Sequence, residues 1–222
     1  MTATTIEPRQ SNFIEATRDV VQITKRNLLR IVRIPQLVVF ATIQPVMFLV
    51  LFNYVFGGAL SFGGPVAEAG SYINWLIPGI LVQTAVFGAS STALGLTEDL
   101  DKGVIDRFRS LPMARSAVLA GRTFADLVRG TFVTTLMLVA GLFMGWDPTQ
   151  GFASTALGVV IALAFGYAMS WVMAYIGLLV KNPETAQVAT FLPLFPLVFS
   201  LSVSAPTETM PDWLAAFAEN QP

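Results

Sequence analysis

The stretch EDLDKGVIDRFRSLPMARSAVL, residues 98–119, is dense in charge and lies between two long apolar runs. Gly103 weakens a helix about where that helix should end. Pro112 disfavours a helical Leu111 and can itself begin a new helix. The stretch therefore predicts a compact elbow between two helices. Its rim charges, with Phe108 as one aromatic anchor, suit a protein partner, but a solvated loop whose arginines meet lipid phosphates explains them equally well.

The composition assigns the chain to the membrane proteins. Hydrophobic residues make up 54% of it and charged residues only 12%, and several apolar runs approach the roughly 18 to 20 residues that cross a bilayer as a helix. We therefore predict an all-α, polytopic membrane protein. The absence of Cys and His argues against zinc and thiol chemistry. No lysine follows a glycine, so the chain has no P-loop with which to hydrolyse ATP.

Residues 12–34 are predicted to form an amphipathic helix at the membrane surface. Asn12 and Glu15 have the spacing of a capping box, and the basic side chains are interleaved with apolar ones, unlike those of a cleavable signal peptide. A soluble N-terminal subdomain is the alternative, but about twenty residues are too few for one. We therefore expect an interfacial helix on anionic lipid. The predicted apolar face consists of Phe13, Thr17, Val20, Val21, Thr24, Leu28, Ile31 and Val32.

Five spans are predicted in a single transmembrane domain. Gln44 beside Pro45 must face protein or a cavity. The second span carries a polar face that fits either ordinary helix packing or part of a substrate path. The predicted spans are residues 36–56, 73–96, 127–146, 152–180 and 186–203. The polar face of the second span consists of Gln83, Phe87, Ser90 and Ser91. Residues 204–222 are predicted to form an outer segment that dips into the membrane interface.

Two further periodic patterns favour packing over ligand binding. A ridge of small residues in the fourth span lets another helix approach closely, most simply within the same chain. A stripe of phenylalanines in the fifth span, bent by Pro193 and Pro196, is more typical of a core than of a wall for amphipathic cargo. The ridge is Gly158, Ala162, Gly166, Ser170 and Ala174, and the stripe is Phe191, Phe195 and Phe199.

The distribution of charge predicts the orientation. All thirteen basic residues fall before the first span, between the second and third, or between the fourth and fifth. By the positive-inside rule these segments, including the N-terminus, are cytoplasmic. The opposite side carries only acidic residues: Glu68, Asp147, Glu208, Asp212 and Glu219.

Three stretches resemble the permease subunits of type-2 ABC exporters, in particular the daunorubicin-resistance permease family. They are EDLDKGVIDRFRSLPMARSAVLAGRTFADLVRG at residues 98–130, KNPETAQ at 181–187 and MPDWLAAFAENQP at 210–222. The resemblance covers essentially the whole chain from the amphipathic helix onward, and the elbow is its most specific part. The family pattern continues into a sixth span after the last stretch, so we expect this chain to be truncated.

The resemblance implies a plasma-membrane exporter of two permeases and two ATPases. Its partners would be a separate ABC ATPase subunit, a second permease copy or paralogue, membrane lipids, and a hydrophobic drug or lipid-like cargo, with no nucleic acid. The chain would bind no cofactor itself, since ATP and magnesium belong to the ATPase. ATPase coupling is expected at Glu98, Asp106, Arg107, Phe108, Arg109, Pro112 and Arg115, and the substrate path at Gln83, Phe87, Phe195 and Phe199.

The expected mechanism is alternating access, in which ATP binding by the partner moves the elbow and the second and fifth spans part or close. A secondary transporter would need ionisable residues within its spans, and the predicted spans have only Asp126 and Arg129, at the edge of the third. An intramembrane enzyme would need a catalytic set that the spans lack. A non-transporting membrane immunity or scaffold protein remains the alternative.

Overall fold

The computed structural model of the chain describes residues 13–57, 71–110, 113–148, 151–180 and 182–200. The regular secondary structure in these ranges is α-helical. The seven helices are α1 (Phe13–Arg33), α2 (Pro35–Phe56), α3 (Tyr72–Asp101), α4 (Val104–Arg109), α5 (Arg115–Phe143), α6 (Phe152–Leu179) and α7 (Pro183–Ser200). The predicted outer segment 204–222 lies outside the described residues.

Three helices are long and apolar enough to cross a membrane. They are α3, α5 from Ser116 onward, and α6, and residues Val39–Val55 of α2 form a shorter apolar stretch. At about 1.5 Å per residue, the 30 residues of α3 extend about 45 Å, which exceeds the roughly 30 Å of hydrocarbon in a bilayer. The chain is therefore an all-α polytopic membrane protein, and α3 has length to spare for a projecting end.

The helix ends follow the proline and glycine signals. Only Ile34 separates α1 from α2, and Pro35 opens α2 at a position where its missing N–H costs nothing. Helix α3 ends at Asp101, after which Gly103 adopts a left-handed φ of 65°. Helix α5 then begins at Arg115 and runs unbroken to Phe143. The helix of the second predicted span continues to Asp101, and a new helix begins after the elbow at Arg115, as predicted. Pro112 lies outside the described residues.

Helix α3 lies at the centre of the packing and contacts α2, α4, α5, α6 and α7. Its approach to α6 is close because glycines of α6 face alanines of α3. A Cβ added to Gly166 would lie 2.9 Å from the Cβ of Ala85, and one added to Gly177 would lie 2.9 Å from the backbone of Ala93. The prediction that the small-residue ridge serves packing within the chain is confirmed for Ala162, Gly166, Ser170 and Ala174; Gly158 is exposed.

The amphipathic character of α1 is present, but its buried face differs from the predicted one. Ile23 and Asn27 are buried, whereas Val21 and Val32 are exposed. The reason is that α1 packs sideways on α5, where Gly121 leaves room: a Cβ there would lie 2.6 Å from the Ile23 Cβ. The prediction placed a single stripe against lipid and did not include Ile23 in it. The structure divides the apolar positions into a stripe against α5 and a second, exposed stripe.

Candidate functional site

The elbow between α3 and α5 is built around the short helix α4. Ile105 is its buried residue and packs with Leu96 of α3 and Ala174 of α6. Asp106 and Arg107, on the same helix, are exposed. The elbow is therefore a folded element with one apolar side chain anchored in the bundle and charged side chains facing outward.

Helix α1 is joined to the C-terminal end of α3 by ion pairs. Arg26 Nη2 donates to Asp99 Oδ2 at 2.9 Å, and Arg30 Nη2 donates to Glu98 Oε2 at 2.5 Å. Lys102 Nζ lies 3.4 Å from the same Glu98 oxygen. Asp99 is the most buried of these groups, with a side chain 10% exposed. We refer to Arg26, Arg30, Glu98 and Asp99 as the inner clamp.

Glu98 stays ionised within this clamp. It lies beyond the predicted second span, at residues 73–96. Partial burial acts to raise the pKa of its carboxyl group, but the hydrogen bond and charge of Arg30, together with the charge of Lys102, lower that pKa below its ordinary value of 4.5. A lowered carboxylate pKa stabilises the folded state above the ordinary value, and this contribution is lost as the pH falls through the folded-state value.

Two further contacts join α1 to the elbow. The guanidinium carbon of Arg26 lies 4.9 Å from the centre of the Phe108 ring, within cation–π range. The Asp19 carboxylate accepts a hydrogen bond of 3.1 Å from the backbone N–H of Ala114, just before α5 begins. Helix α1 thus contacts α4 and also Ala114, the residue just before α5. Phe108, predicted as an anchor for a partner, has a contact within the chain.

The seven predicted coupling residues therefore have different surroundings. Glu98 belongs to the inner clamp, Phe108 contacts Arg26, and Asp106 and Arg107 are exposed on α4. Pro112 and the side chains of Arg109 and Arg115 lie outside the described residues. A role for any of these residues in coupling stays a prediction.

A second charged cluster lies between α3 and α5. The two oxygens of Asp126 accept hydrogen bonds from Ser91 Oγ at 3.1 Å and Thr92 Oγ1 at 2.6 Å. The guanidinium groups of Arg122 and Arg129 lie 3.7 and 3.4 Å from the same carboxylate. The Asp126 side chain is 9% exposed. We refer to Arg122, Asp126 and Arg129 as the buried triad.

The arginines of the triad also donate to the backbone of α3. Arg129 Nη2 donates to the carbonyl oxygen of Gly88 at 2.8 Å, and Arg122 Nη2 donates to that of Ser91 at 3.0 Å. Gly95 has no side chain where the Arg122 guanidinium lies, so a Cβ there would overlap it. Gly95 is thus needed for the triad, and no sequence pattern indicated this role.

The position of the triad bears on the predicted third span, residues 127–146. Asp126 and Arg129 were expected at the edge of that span, and Arg129 is the middle one of the 29 residues of α5. Where the span begins along this helix stays a prediction. Ionisable groups therefore do lie within a helix that is long enough to cross the membrane.

A cavity of about 200 Å³ adjoins the triad and lies between α2, α3 and α5. Two residues of the predicted substrate path, Gln83 and Phe87, line it. Gln44 also lines it, as the prediction that this side chain faces protein or a cavity requires, and Pro45 is buried beside it. The polar face of α3 therefore lies against protein and a cavity.

The two other predicted path residues are not brought into this cavity. Phe87 contacts Phe191 of α7, with ring centres 6.4 Å apart. Phe195 is exposed, and the side chain of Phe199 lies outside the described residues. The phenylalanine stripe of α7 thus contacts one predicted path residue, Phe87, through Phe191. Phe191 belonged to the predicted stripe but not to the four predicted path residues.

The described residues contain no group of three or more His, Cys, Asp or Glu side chains that could hold a metal ion. The absence of a cofactor in this chain stays a prediction. The chemistry that the two clusters offer is recognition of charge, with carboxylates and guanidinium groups held in fixed positions.

Comparison with known proteins identifies the family. Residues 18–222 match the ABC-2 type transporter family. The chain is 32% identical over 180 residues to the daunorubicin resistance ABC transporter permease protein DrrB1 of Streptomyces coeruleorubidus, an alignment that covers 81% of this chain and 62% of that protein. It is 25% identical over 199 residues to the probable doxorubicin resistance ABC transporter permease protein DrrC of Mycobacterium tuberculosis, covering 90% and 70%.

A third relative is the putative transport permease ycf38 of Pyropia yezoensis, with 28% identity over 207 residues, covering 89% of this chain and 67% of that protein. No solved structure matches. The chain thus spans 62% of the length of the first relative. The family match and these relatives agree with the all-α membrane architecture, and the chain belongs to the ABC-2 type transporter family.

Proposed function

We propose that this chain is the transmembrane subunit of an ATP-driven ABC exporter that moves a hydrophobic drug or lipid-like compound out of the cytoplasm or the inner leaflet. ATP and magnesium bind to a separate ATPase subunit, and two permease copies or paralogues form the membrane part. The descriptions of the relatives as drug-resistance permeases support this class of cargo.

The observation that carries the proposal is the braced elbow. Helix α4 exposes Asp106 and Arg107, while Ile105 and the inner clamp hold the elbow against the bundle. A partner that pushes on a loose loop moves only that loop. A partner that pushes on this elbow also displaces α3, because α4 follows it after only Lys102 and Gly103.

The proposed orientation has the N-terminus and the elbow in the cytoplasm. The basic side chains of the inner clamp, Arg26 and Arg30, come from α1, and Lys102, just after α3, lies on the same side of the bundle. This arrangement is what the positive-inside rule expects of a cytoplasmic surface. An ATPase in the cytoplasm therefore reaches the elbow directly.

Substrate is proposed to pass between α3 and α7, along Gln83, Phe87, Phe195 and Phe199. Phe87 and Phe191 join these helices, so the route is closed at that level. The cavity beside Gln83 and Phe87, at about 200 Å³, is smaller than the roughly 300 to 1,000 Å³ typical of sites for drug-sized ligands. Passage therefore requires α3 and α7 to separate, as alternating access does. ATP must favour one of the two states to drive this change.

The test is copurification with the ATPase subunit encoded beside this chain. Both subunits are co-expressed in membranes, and the permease is captured through an affinity tag. The native permease is expected to retain the ATPase, and the double change Arg107→Glu, Arg109→Glu is expected to lose it. The matched control is the double change Arg18→Glu, Lys25→Glu, the same change of charge at exposed positions of α1, which should retain the ATPase.

Either of two results would contradict the proposal. If the native permease captures no ATPase while the permease is intact by size-exclusion chromatography, the chain fits the alternative of a non-transporting immunity or scaffold protein. If the double change retains the ATPase at the native level, the subunits associate but the elbow is not their contact.

A further inference from the structure

The charge of the buried triad is not balanced by its own members, although Asp99, outside the triad, also attracts Arg122. Two guanidinium groups, of Arg122 and Arg129, share the single carboxylate of Asp126. Arg side chains remain protonated in proteins, so the triad carries one net positive charge. An uncompensated charge out of water is costly, and such charges are usually paired with another group.

Arg129 also has an unused donor. Its Nη2 atom donates to Gly88 and contacts Ser91 Oγ. Its Nε atom is buried and has no hydrogen-bond partner. A buried N–H without an acceptor is unfavourable. The net positive charge of the triad favours a negatively charged group where Arg129 lines the cavity.

The cavity beside Arg129 has room for such a group. Its wall includes the polar side chains of Gln44, Gln83 and Ser90 as well as Arg129. Thr84 and Ser91 also line it, and the other lining residues, Phe48 and Val133 among them, are apolar or glycine. The Gln44 side chain is exposed on α2, so the cavity reaches the surface at that helix. A volume of about 200 Å³ admits a headgroup with a short apolar part, and the rest of a longer molecule would continue outside.

The depth of Arg129 also favours an amphiphile. Fourteen residues separate it from the end of α5 at Phe143, which is about 21 Å along the helix axis at about 1.5 Å per residue. With that end near the outer boundary of a hydrocarbon layer about 30 Å thick, Arg129 lies in the inner half of the layer. Ionisable residues at such depths are expensive and usually functional.

We infer that this cavity is a binding site for the anionic headgroup of an amphiphile, with a phosphate group accepting from Arg129 and the apolar part leaving along α2. The inference does not depend on the proposed export activity. The phosphate can come from a membrane phospholipid or from a free phosphate ion, and the experiment separates the two sources.

The experiment measures binding to the purified full chain in neutral detergent by native mass spectrometry. The probes are dioctanoyl phosphatidylglycerol, dioctanoylglycerol as the same tail without the phosphate, and sodium phosphate as a competitor. The native chain is expected to bind phosphatidylglycerol saturably and dioctanoylglycerol at least about tenfold more weakly, since a charge-assisted hydrogen bond contributes on that order. If sodium phosphate competes, a phosphate ion alone is sufficient for binding at the site. If it does not compete, binding requires the whole lipid headgroup. Both results agree with the proposed site.

Three variants locate the binding. Arg129→Gln removes the cation and should weaken phosphatidylglycerol binding about tenfold. Ala41→Phe fills the cavity from α2 without touching the triad, and it decides the matter if Arg129→Gln does not fold. Arg107→Gln removes an exposed arginine outside the cavity and should bind like the native chain. Equal binding of the two lipids, or native binding by both Arg129→Gln and Ala41→Phe, would overturn the inference.

Discussion

The inner clamp gives the sharpest prediction, which concerns the change Asp99→Asn. The Asp99 carboxylate is 10% exposed and accepts from Arg26 at 2.9 Å. A hydrogen bond to a charged group contributes about 1.5 to 3 kcal/mol. Because the Arg26 side chain is 37% exposed and can turn toward water when its partner is lost, we expect a smaller loss than the middle of that range, about 1 to 2 kcal/mol.

The assay is hydrogen exchange of peptides from α1, measured by mass spectrometry on the intact chain. A loss of about 1 to 2 kcal/mol changes an opening equilibrium about 5- to 30-fold, so amides of α1 should exchange faster by that factor. Peptides from α6 should not change. The comparison variant is Glu98→Gln, whose ion pair with Arg30 joins side chains 36% and 35% exposed and should contribute only about 0.2 to 1 kcal/mol.

A double-mutant cycle makes the test specific. The combined change Arg26→Gln, Asp99→Asn should be less damaging than the sum of the two single changes, because both remove the same interaction. If the effects add within about 0.3 kcal/mol, or if Glu98→Gln loosens α1 more than Asp99→Asn, the pairing of Arg26 with Asp99 does not hold α1 in place.

Three other predictions concern packing, the buried triad and the elbow. Gly177→Leu should lower the thermal unfolding midpoint strongly, at a cost of about 1 to 3 kcal/mol or more, since Ala93 of α3 occupies the space. Gly158→Ala, in open surroundings, should have almost no effect. Equal effects of the two changes would refute the close packing of α3 and α6. Asp126→Asn should cost about 3 to 5 kcal/mol by leaving two arginines unpaired, seen as a reduced yield of folded protein, whereas a native yield and midpoint would argue against the triad. Gly103→Ala should cost about 1 to 2 kcal/mol, because the left-handed φ of 65° is unfavourable for other residues; an unchanged midpoint would mean that the elbow adopts another turn.

The helices and the elbow could be predicted because their signals are local. Apolar runs predict helices that cross a membrane, Pro35 marks the start of α2, and Gly103 marks the end of α3. The all-α membrane class followed from composition alone. The family resemblance rested on contiguous stretches, and the comparisons support it.

The contacts between distant segments could not be predicted in the same way. Arg26 and Asp99 are 73 residues apart, and a single sequence does not indicate which charges will meet. The same limit explains the predicted face of α1, because periodicity identifies apolar positions without identifying the neighbour that buries Ile23. The elbow residues and the Phe195 and Phe199 positions were chosen from pattern and resemblance, and their roles stay predictions.

The triad shows what a hydropathy argument leaves out. Such an argument begins the third span at residue 127 and therefore treats Asp126 and Arg129 as boundary residues. The hydroxyl groups of Ser91 and Thr92 and the backbone of α3 solvate these charges instead of water. Polar groups of α3 thus stabilise charged residues along more of the length of α5. This stabilisation is visible only in the tertiary structure.

The close contacts between α3 and α6 have a mechanical consequence. Gly166 faces Ala85, and Gly177 faces Ala93, so the two helices run parallel and touch at two separate levels. Two separate contacts oppose rotation of one helix against the other, and neither contact includes a flexible side chain that could rearrange. We therefore expect α3 and α6 to move together, so that a displacement of the C-terminal end of α3 also moves the end of α6 at Gly151, at the opposite end of the bundle.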